Sequence, residues 1–186
     1  MSKLKLNLGC GDRKLYGFIN IDIRNELNPD VCMDVTEVST KWMNEVDLIY
    51  ACHVLEHFPF KTNEKSKKTY KNVLVDWYKS LKIDGILRLA VPNLKKACEY
   101  FIEFGKIDPI RSMFWGGQKY EYDIHYYGWS FDTLKKDLEE IGFKDICQYD
   151  WRKTEHFYVD DYSQSYLPHM DKENGELMSL NVEAIK

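Results

Sequence analysis

Residues 53–57 read His53-Val54-Leu55-Glu56-His57, a spacing with which two imidazoles and a carboxylate serve zinc in one group of metallopeptidases. That chemistry needs both histidines on one face of a stable helix, with a third ligand from elsewhere. Pro59, two residues past His57, cuts such a helix short, so no metal is expected here. A neutral His53 or His57 could instead act as a base, since imidazole titrates near neutral pH, or could be a helix-end histidine hydrogen-bonded to nearby loops. Two other stretches carry chemistry. In "LGCGDRK" (8–14), Gly9 and Gly11 let the backbone turn tightly and let a ligand approach it, which a side chain would block. Asp22, closing "FINID", is an acceptor placed where a carboxylate can take both hydroxyl protons of a ribose.

These residues need a frame that brings them to one edge. Short apolar runs at 3–9, 18–23, 46–51 and 85–93 read as strands, and 143–151 and 177–186 as two more. Between them, 67–81 places Tyr70, Leu74, Trp77, Tyr78 and Leu81 at helical spacing, and Asp84-Gly85 is expected to turn the chain into the next strand. Residues 94–105 repeat Leu94, Ala97, Cys98 and Phe101, and 130–142 has Ser130 as N-cap with Gly142 past its end. Strands alternating with helices predict an α/β fold, a mainly parallel sheet with helices on both faces. In such a sheet ligands bind outside the carboxyl ends of the strands, where Gly9–Gly11, Asp22 and His53 all fall.

Composition narrows the function. The 186 residues, 44% hydrophobic and 15% aromatic, are enough for a single domain over 1–186 with a buried core. The formal charge of −4, its signs mixed along the chain, offers no basic stripe, so nucleic acid is not an expected partner. No apolar run reaches the roughly 20 residues that span a bilayer, and the opening "MSKLKLNLGC" lacks a signal-peptide core; no membrane partner and a cytoplasmic location are expected. The five cysteines (Cys10, Cys32, Cys52, Cys98, Cys147) include no C-x-x-C pair and sit among apolar neighbours, which predicts reduced thiols in the core.

Together, "LNLGCGDRKLYGFINID", "VCMDVTEV" and "VDLIYACHVLEHF" resemble the class I S-adenosylmethionine-dependent methyltransferases, and among these the small bacterial-type members. The resemblance runs in order from about residue 4 to 93. It implies a Rossmann-like methyltransferase fold with a C-terminal antiparallel strand, and S-adenosyl-L-methionine as cofactor. Gly9, Cys10 and Gly11 would lie against its methionine part, and Asp22, with Ile23 beside it, would hold the ribose. Asp34 and Val35 match the position near the adenine, and Ala51 to His53 the strand end beside the sulfonium. Two departures stand out. Only ten residues separate Gly11 from Asp22, which shortens the first crossover to about one helical turn, and Arg13 and Lys14 stand where a third glycine is usual.

The sulfonium carries an activated methyl, so the protein chiefly has to align an acceptor with it and exclude water. The acceptor side is expected from 58–68, 114–129 and 154–176. The second of these, "FWGGQKYEYDIHYYGW", is dense in aromatic residues and is expected to roof the pocket, with His125 either a base or a structural residue. No N/D-P-P-Y/F stretch follows the strand at 46–51, which argues against nucleobase or glutamine nitrogens. The expected substrate is a small molecule, with a sugar or glycan-precursor hydroxyl as acceptor. The alternatives are a non-catalytic cofactor-binding module and a zinc metallopeptidase built on the H-x-x-E-H stretch.

Overall fold

The structure, a computed structural model, describes residues 3–62, 64 and 66–186. Its strands are β1 (Lys5–Leu8), β2 (Ile19–Asp22), β3 (Val31–Cys32), β4 (Val46–Cys52), β5 (Leu81–Pro92), β6 (Lys144–Gln148), β7 (Tyr166–Leu167), β8 (Glu176–Leu177) and β9 (Ser179–Ile185). Its helices are α1 (Tyr70–Ser80), α2 (Leu94–Phe104), α3 (Arg111–Trp115) and α4 (Phe131–Ile141), with short 3-10 turns between. Seven strands form one sheet in the order β3-β2-β1-β4-β5-β9-β6, and β7 and β8 pair separately. The pairs from β3 through β5 are parallel, whereas β9 runs antiparallel to both β5 and β6.

The strands are near-continuous apolar runs because both faces of the sheet are covered. Ile49 and Ala51 face the main core with α1 and α4, while Leu48 and Tyr50 face a smaller cluster with Leu15 and Phe18. α1 presents Tyr70, Val73, Leu74 and Trp77 at helical spacing and starts in a capping box made by Thr69 and Asn72. α4 starts at the Ser130 cap and stops at Gly142 in the left-handed region. The second face is covered by irregular chain and 3-10 turns, whose His156 packs on Tyr50 at 4.3 Å between ring centres.

Three expectations need correction. Asp84-Gly85 does not end anything: β5 already begins at Leu81, and these residues form an irregular stretch between the Val46↔Leu81 and Leu48↔Ile86 pairs. Cys32, Cys98 and Cys147 are exposed, because short strand ends and the outer side of α2 are not covered; Cys10 is buried and all five thiols are free. Among the described residues the β1–β2 link holds no helical turn at all. A buried amide pair replaces it. Asn7 Nδ2 donates to Asn20 Oδ1 (2.9 Å) and to the Arg13 carbonyl (2.9 Å), while Leu15 N donates to Asn20 Oδ1 (2.8 Å). Asn20 Nδ2 donates onward to Asp30 Oδ2 (2.7 Å). Both side-chain amide groups that donate here, and Asn20 Oδ1, have partners, which lets a link too short for a helix hold a fixed path.

Candidate active site

The carboxyl ends of β1, β2, β3 and β4 lie side by side and place the expected residues along one edge. Gly9 (φ +61°) and Gly11 (φ +54°) are both left-handed, a conformation that favours glycine. Their surroundings differ. A Cβ on Gly9 would lie 2.5 Å from Val54 Cγ2, whereas one on Gly11 would meet only Arg24 Nη2 at 3.5 Å. Gly9 therefore has a reason inside the protein, and the space in front of Gly11 is open toward a side chain that can move. Between them Cys10 is buried, and burial with Asp22 nearby pushes its thiol up to about 11.

Asp22 is only 4% exposed, not a free strand-end carboxylate. Its Oδ2 accepts from Gly11 N (2.8 Å), and its Oδ1 accepts from Arg24 N (2.9 Å) and Arg24 Nε (3.1 Å). It thus ties the glycine loop to β2. Arg24 in turn packs on the Tyr120 ring at 4.9 Å. The carboxylate expected to hold a ribose stands at the end of β2, and Arg24 covers its outer side. Ile23 beside it is exposed. Asp34 caps the 35–40 turn by accepting from Thr36 N (2.8 Å), and Val35, buried, offers its carbonyl to Trp77 Nε1 (2.8 Å). Two surface hollows, one beside Thr36, Lys68 and Asp76 and one beside Lys5, Arg88 and Glu155, touch neither the glycine loop nor Asp22 nor His53.

At the end of β4 the H-x-x-E-H stretch forms a single 3-10 turn, Leu55–His57, preceded by His53 in the left-handed region (φ +53°). The helix of a metallopeptidase is absent. The 114–129 loop docks here instead: Tyr126 N donates to the Glu56 carbonyl (2.8 Å), and His57 Nδ1 lies 3.0 Å from the Ile124 carbonyl. His125 Nδ1 lies 3.1 Å from the Met113 carbonyl, and the His57 and His125 rings meet edge to face at 4.9 Å. So the two candidate bases His57 and His125 are neighbours, as is His53, whose Nδ1 is 3.3 Å from Glu56 Oε1.

Sequence reasoning gave Glu56 no role outside the metallopeptidase pattern, yet it is the centre of this group. It is fully buried and neither carboxylate oxygen has a hydrogen-bond partner. Burial pushes its carboxyl up to about 8. Burial, with the neighbouring histidines adding to it, holds His53 down to about 3 and His57 to about 4, and burial also lowers His125. The signal available in the sequence was a lone carboxylate in an apolar run directly after a buried strand.

No family model and no curated protein matches the chain. Solved structures do. A SAM-dependent methyltransferase from Archaeoglobus fulgidus aligns at TM-score 0.58 and 16% identity, over 99% of this chain and 86% of the other. A TehB-like SAM-dependent methyltransferase from Corynebacterium glutamicum aligns at 0.52 and 13%, over 100% and 80%. The CurJ carbon methyltransferase aligns at 0.57 and 15%, over 99% of this chain and 49% of its own. With its single antiparallel strand β9 inserted between β5 and β6, the chain has the α/β, Rossmann-like fold of the class I S-adenosylmethionine-dependent methyltransferases.

Proposed function

We propose that the chain is an S-adenosylmethionine-dependent methyltransferase acting on a small-molecule acceptor. The observation that carries the reading is the row formed by the left-handed Gly9–Gly11 loop, Asp22 hydrogen-bonded to Gly11 N, and His53 at the end of β4, all on the ligand-binding edge of this fold. These residues fit the cofactor on one condition: Arg24 must leave the outer side of Asp22 for the ribose hydroxyls to reach it. Gly11 offers open space to the methionine part, and Asp34 with Val35 borders the adenine side. The cofactor supplies the activated methyl. The chain's own part is to hold the acceptor in line and keep water out, which suits the aromatic 114–129 loop spanning from Glu56 to Arg24.

A hydroxyl of a sugar or glycan precursor is the acceptor we favour, on the strength of exposed aromatic faces at Trp115, Tyr120 and Tyr162 around this edge. The formal charge of −4 gives no support to a nucleic-acid substrate. Among the described residues no helix is long and apolar enough to cross a membrane. One observation favours a non-catalytic cofactor-binding module as second reading, namely that the short β1–β2 link has no helix beside the glycine loop. Calorimetric titration with S-adenosylmethionine, its demethylated product and NAD, side by side, tests the proposal. Binding of the first two and not the third is expected; selective binding of NAD, or of none, would refute it.

A further inference from the structure

Glu56, His57 and His125 each offer one ligand atom, and those atoms all lie within 4.8 Å of one another. The Nδ1 atoms of His57 and His125 face backbone carbonyls, of Ile124 and Met113. A carbonyl can only accept, so each Nδ1 carries the proton and each Nε2 keeps its lone pair. His125 Nε2 lies 3.9 Å from Glu56 Oε1, too far for a hydrogen bond. The Glu56 carboxylate is fully buried and has no hydrogen-bond partner. The two lone-pair nitrogens and the fully buried, unpartnered carboxylate thus stand together, and neither imidazole offers a proton to the carboxylate. One proton on Glu56 could serve only one imidazole, whereas a divalent cation serves all three groups at once.

We propose that Glu56, His57 and His125 form a site for a divalent transition-metal ion. Two imidazoles and one carboxylate are the ligand set of zinc and of iron(II) or manganese-type centres with open positions. Imidazoles that donate their far N–H to a backbone carbonyl are oriented as metal-bound histidines are. The fit needs only a small contraction, since ligand atoms about 2.0–2.1 Å from zinc stand about 3.4 Å from one another. The turn at 55–57 and the loop at 124–126 are already clamped together by Tyr126 N donating to the Glu56 carbonyl. His53, with Nδ1 3.3 Å from Glu56 Oε1, stands beside the group. If the strand-end edge is the methyl-transfer site, as proposed above, the ion lies on its acceptor side and would bind an acceptor oxygen.

The test is titration of the full chain, stripped with a chelator, with zinc(II), manganese(II) and cobalt(II) chlorides, read by calorimetry and, for cobalt, by visible absorption. One ion per chain, with a cobalt spectrum showing nitrogen and oxygen ligands and a raised melting temperature, is expected. Glu56→Gln keeps the shape and adds a donor that the imidazoles can accept, so it should fold and yet bind at least 100-fold more weakly. His125→Ala should lose affinity to the same degree. The proposal is overturned if no ion binds stoichiometrically, or if Glu56→Gln binds as wild type does. A chain that binds S-adenosylmethionine but no metal refutes this site alone; one that binds metal but not the cofactor refutes only the proposed function.

Discussion

Replacing Gly9 by alanine puts a methyl group 2.5 Å from Val54 Cγ2, well inside the contact distance of two carbons. The cost has two separable parts. A residue with a Cβ at φ +61° loses about 1–2 kcal/mol for the left-handed backbone alone. Forcing a methyl against the buried Val54 adds about 1–3 kcal/mol, as overpacking does elsewhere. Together these predict a loss of about 2–5 kcal/mol, measured as a lower urea midpoint at unchanged slope. Val54→Ala removes the obstructing methyls, so in the double variant the second part vanishes and the two substitutions should couple favourably by about 1–3 kcal/mol. Gly11→Ala is the control: its methyl meets only Arg24 Nη2 at 3.5 Å, and it should cost only the backbone part. A Gly9→Ala loss below about 1 kcal/mol, or one that Val54→Ala leaves unchanged, would show that Gly9 is not there to admit Val54.

Asp22→Asn should lower the melting temperature as well as cofactor affinity, by about 1.5–3 kcal/mol of stability, since its carboxylate holds Gly11 N and Arg24; an unchanged melting curve would contradict the hydrogen bonds described. Arg24→Ala frees the outer side of Asp22 and should tighten binding of S-adenosylmethionine in calorimetry, whereas weaker binding would make Arg24 a cofactor contact. The Glu56 carboxyl, raised from 4.5 to about 8, contributes stability that is fully present below pH 4.5 and is lost as pH rises toward 8. His57, depressed from 6.5 to about 4, acts oppositely and only below 6.5, so between pH 6.5 and 8 the chelator-treated protein should lose up to about 1.4 kcal/mol per pH unit. Glu56→Gln should flatten that slope in urea titrations at fixed pH; an equal slope in both proteins would refute the assignment to Glu56.

What could be read from the sequence was what repeats or punctuates. The spacing of Tyr70, Leu74 and Trp77, and the Ser130 and Gly142 ends, located two helices because burial and capping act within a turn of chain. Glycines and strand ends put Gly9, Gly11, Asp22 and His53 on one edge for the same local reason. Asp84-Gly85 misled because turn residues also suit a strand irregularity. The grip of Arg24 on Asp22, its packing on Tyr120, and the meeting of Glu56 and His57 with His125 were not legible. They depend on where a long, aperiodic loop comes to rest, and no local pattern encodes that.

The place of β9 has a consequence for how the chain is made. Ser179–Ile185 fills the slot between β5 and β6, and it is the last of the seven strands in sequence. Until it has been synthesised, β5 shows an unpaired edge along Ile86–Pro92, whose Leu87, Leu89 and Val91 are fully buried in the finished fold. Open apolar edges of this kind pair with one another in neighbouring nascent chains. A chain interrupted before residue 179 is therefore not a smaller version of this protein but a sticky half-sheet, and yield in expression should depend on this strand more steeply than on any loop around the site.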